Sequence, residues 1–164
     1  MKRLIVLLGV LISSQALAQI EVKKVADPVT VVAKTNNLIG EFFEVVAIPV
    51  DTASLYVLSV QTSNRYDDWM QVWLGFTKEE SLTSLDRINA LFDEKIGTTF
   101  ELPMTTGVVS VKVQKNGTAL FPTKKNKVGL YLSASGYAGG QVLTRAIIES
   151  LIKQTKEYGK EAND

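Results

Sequence analysis

Histidine and cysteine are both missing from the 164 residues. Without imidazole the chain has no side chain that ordinarily changes charge near neutral pH, and without thiols it has neither a cysteine nucleophile nor a disulfide. The commonest transition-metal ligands go with them. Classical Ser-His-Asp, Cys-His and zinc-hydrolase chemistry is thereby excluded. An enzyme built on this sequence is left with a carboxylate pair, a Ser-Lys dyad, a tyrosine acid or a hard cation held by oxygen atoms. The reading expects no metal and no cofactor.

An excess of charge of one sign is also lacking, since 18 Lys and Arg stand against 17 Asp and Glu. Nucleic-acid affinity rests on neutralising many phosphates, so no nucleic-acid partner is expected. Long apolar runs are absent beyond the N-terminus. There, Lys2 and Arg3 precede the nine apolar residues Leu4 to Ile12, and Ala16-Leu17-Ala18 precede Gln19. This is the layout of a secretory signal, with cleavage expected after Ala18. Nine apolar residues fall short of the roughly 20 that span a bilayer, so no transmembrane segment is expected. Loss of residues 1–18 removes two bases and no acid, leaving a formal charge near −1 on a chain sized for one domain. The expected location is the periplasm or beyond the cell. The expected divisions are a signal over 1–18, an N-terminal arm or edge strand over 19–37, one α+β domain over 38–157 and a polar tail over 158–164.

What the sequence does contain is clearest from Trp69 to Ile96. Met70, Val72, Leu74 and Phe76 alternate onto one face of a strand, and Trp69 and Trp73 fall on the other. Thr77 and Glu80 have capping-box spacing, which starts a helix whose apolar stripe is Leu82, Leu85, Ile88, Leu91, Phe92 and Ile96. Upstream, Ile20 to Val32 reads as an arm or edge strand, with Glu41 to Val50 and Leu55 to Thr62 as further strands. Downstream, Thr98 to Leu102, Val108 to Gln114 and Val128 to Ser133 read as strands. Asn116-Gly117 signals a hairpin whose return arm is Thr118 to Phe121. Ser135 to Gly140 leads into a last helix striped by Leu143, Ile147, Ile148, Leu151 and Ile152.

Short connections make neighbouring strands antiparallel. The expected fold is α+β: one mainly antiparallel sheet of meanders and hairpins with two amphipathic helices on one face. Val72, Leu74, Phe76 and Thr77 align with Val128, Leu130, Leu132 and Ser133 at an offset of 56. That match raises two repeated strand-strand-strand-helix halves, with ordinary strand–helix succession as the alternative.

Few constellations carry chemistry. Ser150 and Lys153 have S-x-x-K spacing, but the helical stripe turns Lys153 toward water and no companion motif is present. Asn64, Asp67 and Asp68 offer loop oxygens without the spaced calcium-loop pattern. Lys124, Lys125 and Lys127 form a small basic loop of the kind that solvates a hairpin tip. Ser133, Ser135, Gly136, Gly139, Gly140 and Arg145 suggest a weak anion cradle at a helix start, against the plainer reading of a small-residue connection.

The strongest lead is aromatic. Trp69 and Trp73, spaced roughly 13 Å apart on one strand face, with Tyr66 and Tyr131 as further candidates, suit contact with a protein or a glycan, while core packing is the competing use of such rings. The preferred expectation is an exported, non-catalytic binding or structural module of the bacterial envelope. Two alternatives remain: a small hydrolase using carboxylates or Tyr, and a subunit of a surface assembly that adds its N-terminal arm to a neighbour.

Overall fold

The computed structural model describes residues 29–37, 40–62, 69–104, 107–116 and 127–160. The signal segment, the arm before Val29, the loop with Asn64, Tyr66, Asp67 and Asp68, the hairpin return Thr118 to Phe121, and Lys124 and Lys125 lie outside them.

Four strands come first: β1 (Thr30–Asn36), β2 (Phe42–Val50), β3 (Ala53–Gln61) and β4 (Trp69–Gly75). They pair antiparallel in that order as sheet 1. Helix α1 (Lys78–Ala90) follows and closes in a 3-10 turn, Leu91–Asp93. Sheet 2 then repeats the scheme with β5 (Thr99–Pro103), β6 (Val108–Lys115), β7 (Val128–Ala134) and β8 (Gln141–Thr144), leading into helix α2 (Arg145–Glu157).

An α+β fold is therefore present, but with two four-stranded sheets in place of the single one expected. Pro103 supplies a physical reason. A proline has no N–H for a ladder and belongs at a sheet edge, and it sits in β5, the edge strand of sheet 2. Among the described residues, pairing between the sheets shrinks to one bridge, Val72 to Met104. The three-strand halves are likewise corrected to four strands each. The offset of 56 matches β4 with β7, whereas the strand that enters α2 is β8.

β8 is a correction to the expected last helix, whose apolar stripe extends back to Leu143. Leu143 is a buried strand residue opposite Leu130, and the helix begins only after Thr144, whose hydroxyl accepts the Ile147 N–H at 3.4 Å. Ile96 also leaves its expected stripe: it lies past the 3-10 turn and is 47% exposed.

Alternation decides which strand faces close on the core. Phe43, Val45, Leu58, Val60, Met70 and Val72 line the inner side of sheet 1, and Val109, Val111, Val113, Leu130, Leu132 and Leu143 that of sheet 2. With Leu85, Ile88, Phe92, Ile148, Leu151 and Ile152 they make one cluster, so both sheets and both helices share a core. Helix α1 borders β3 and β4, while α2, which follows sheet 2, lies against β1, β2 and β8.

The helices run antiparallel. At one end Lys78 Nζ donates to the carbonyls of Lys156 and Tyr158, a cation at the C-terminal end of α2 where the dipole favours it. At the other, Arg145 meets Asp93 at 2.6 Å. Strand β1 is an edge of sheet 1, and Gln154 of α2 covers part of it: its Oε1 accepts the Lys34 N–H and its Nε2 donates to the Lys34 carbonyl, both at 3.1 Å. A side-chain amide thus takes the place of a neighbouring strand at that point.

Candidate binding face

On β4 the residues between the core positions point the other way. Trp69, Gln71 and Trp73 lie on the outer face of sheet 1, and the register extends them into rows across the four strands. One row is polar: Lys34, Glu44, Ser59 and Gln71, with Lys34 and Glu44 paired at 2.7 Å. Beside it Lys34 Nζ also sits 4.2 Å from the centre of the Phe42 ring. The next row is apolar throughout: Val31, Val46, Val57 and Trp73. Its middle is closed, with Val57 at 0% and Val46 at 5% exposure, while Val31 at 49% and Trp73 at 41% leave the ends open. None of the four belongs to the shared core cluster.

Phe76 lengthens this row. The sequence alternation placed it with Met70, Val72 and Leu74 on the inner face, but the strand ends at Gly75. Gly75 has φ +143°, and a Cβ there would meet the Glu80 side chain at 2.5 Å. Only glycine accepts that backbone and that approach without strain. The turn it makes brings the Phe76 N–H onto Glu80 Oε2 at 2.7 Å, while the Glu80 N–H donates to Thr77 Oγ1 at 3.1 Å. This is a capping box with its return bond shifted one residue toward the N-terminus. The ring of Phe76 stands edge-on to Trp73, centroids 5.5 Å apart at 79°, and is 48% exposed.

The other sequence candidates do not join this surface. Trp69 shares the outer face and is half-buried opposite Gln61. Tyr131 belongs to sheet 2, between Lys112 and Val142, where Gly140 makes room for its ring. Tyr66 lies outside the described residues. Ser135, Gly136 and Gly139 are exposed and Gly140 is buried, but β8 stands between them and α2, so they are not at a helix N-terminus. Arg145 turns to Asp93 and the face of Phe92. Ser150 accepts from Gln154 at 3.1 Å, and Lys153 is exposed in an open groove of about 490 Å³ between the helices, which Asp86, Asn89, Glu149 and Lys156 also line.

Sequence reasoning missed Phe76, Val31, Val46 and Val57. The available signal for Phe76 was Gly75 directly before it; the valines needed the register. Among the described residues no three acidic side chains come together in a metal-holding group, and no helix is long and apolar enough to cross a membrane. Tyr56 has its phenol pKa raised, by burial first and then by the nearby Tyr158 and Glu79. In comparisons with known proteins, no family model matches the chain, and neither a curated protein nor a solved structure matches it.

Proposed function

We propose that the protein is an exported, non-catalytic module of the bacterial envelope that binds a protein partner through the outer face of sheet 1. The observation that carries this reading is the exposed part of the apolar row, Val31 at one end and Trp73 with Phe76 at the other, on either side of the buried Val46 and Val57. Large rings beside closely packed aliphatic side chains are the usual make-up of a protein contact centre. A glycan platform favours rings that present their faces side by side, whereas Trp73 and Phe76 stand at 79°. The signal-like N-terminus supports export.

Adding the arm to a neighbour's sheet is a weaker use of this structure, because Gln154 already occupies the β1 edge at Lys34. The test is the double substitution Trp73→Ala and Phe76→Ala, with retention measured on immobilised envelope proteins and separately on cell-wall glycan. We expect retention on proteins to fall at least tenfold while the far-ultraviolet dichroism stays unchanged. Unaltered retention on proteins, or a loss confined to glycan, overturns the reading.

A further inference from the structure

We infer that Phe42 is a further contact residue of the sheet 1 binding face and that Gln141, reaching over from sheet 2, is the residue that positions it; this deepens the docking reading proposed above and rests on it.

Alternation along β2 puts Phe42 on the outer face with Glu44 and Val46, and it is 36% exposed. It stands across the polar row from Trp73, about 16 Å away by strand spacing and rise, which is well inside a contact patch of about 800 Å² per partner. The ring is oriented in advance, because Lys34 Nζ lies 4.2 Å from its centre and is itself held by Glu44.

The backbone beneath that ring does not rest on the ladder. The last register pair of β2 with β3 is Phe43 with Val60, and one residue further the Phe42 N–H donates to the Gln61 side chain, Oε1, at 3.1 Å. Gln61 is in turn held from the other sheet, since Gln141 Nε2 donates to its carbonyl at 3.1 Å. Gln141 is only 5% exposed, yet it is an amide where a leucine would serve the core. Its second Nε2 bond, at 2.6 Å, goes to Glu41 Oε2, and its Oε1 accepts the Val142 N–H at 2.8 Å. Glu41 is fixed as well, by Asn37 Nδ2 at 2.6 Å. Gln141 therefore braces both residues that flank the Phe42 N–H bond, Glu41 in the chain and Gln61 across from it.

Exchanging acid and amide, Glu41→Gln with Gln141→Glu, separates positioning from stability. The amide at 41 can then donate to the carboxylate at 141, so the denaturant midpoint should return close to the parent from the loss seen in Gln141→Glu alone. A carboxylate at 141 has no hydrogen for the Gln61 carbonyl. In the exchanged pair the Phe42 amide should therefore still exchange about tenfold faster than in the parent, read by NMR, and retention on immobilised envelope proteins should stay about threefold lower. Phe42→Ala should lower retention by a similar factor. Gln61→Met removes the Phe42 acceptor while leaving Gln141 in place, and should reproduce both changes. Retention or Phe42 exchange that recovers together with the midpoint overturns the inference, leaving Gln141 a structural brace. Parent-like retention in Phe42→Ala or Gln61→Met overturns it too, whether or not the exchanged pair regains its stability. Each of these results leaves the docking reading standing if Trp73→Ala with Phe76→Ala still lowers retention.

Discussion

Sheet 1 and sheet 2 are each four antiparallel strands leading into a helix of thirteen residues, yet the sides they turn away from the shared core differ in chemistry. Behind sheet 2 the rows read Thr99, Lys112, Tyr131, Val142 and Glu101, Ser110, Ser133, the polar alternation of a sheet with one wet face. Behind sheet 1 a row is apolar from one edge to the other and ends in two exposed rings. Since the two sheets serve one core in the same way, the core does not explain the difference. A docking role for the outer face of sheet 1, as proposed above, would account for it.

The largest effect expected from this contrast comes from putting an acid on each outer face. Val57→Asp buries an unpaired charge and should cost roughly 3–5 kcal/mol. Thr99→Asp, exposed and opposite Lys112, should stay within about 0.5 kcal/mol of the parent. Denaturant midpoints measure both, and equal costs would break the contrast. A smaller difference is expected at the helix starts. Thr77 works with Glu80, whereas Thr144 accepts one longer bond, so Thr77→Ala should cost about 1–2 kcal/mol and Thr144→Ala about 0.5 kcal/mol. Thermal unfolding of the two variants checks the order.

The smallest effect belongs to Tyr56, where α1 meets the end of α2. Its raised pKa means the fold holds the phenol proton more tightly than the unfolded chain does. That contribution is complete below the unfolded value of about 10 and is lost as pH rises through the folded value. Tyr56→Phe should therefore flatten the decline in stability above about pH 10, read by denaturant titration across that range.

Much of the fold was legible because burial writes itself into spacing. The alternation of Val109, Val111 and Val113 and the pairing of Thr77 with Glu80 are visible in the sequence alone. β8 was not, because Gln141–Thr144 is four residues long and runs directly into a helix whose period absorbs Leu143. The division into two sheets is hidden for a different reason: strand sequences show which face is apolar but not which edges meet, as at Pro103 in an edge strand and at the Val72–Met104 bridge. At the candidate binding face the tryptophans follow from period two. The valine row depends on cross-strand register, and Phe76 on the backbone turn at Gly75, neither of which spacing along one strand reveals.

The chain has no cysteine, so a single introduced thiol is a unique probe of each outer face. The most direct test is the labelling rate of Gln71→Cys on sheet 1 and Ser110→Cys on sheet 2, with and without envelope proteins. The account predicts that these proteins slow labelling at residue 71 several-fold and leave residue 110 unaffected. Slowing at residue 110 alone, or at neither site, would contradict it.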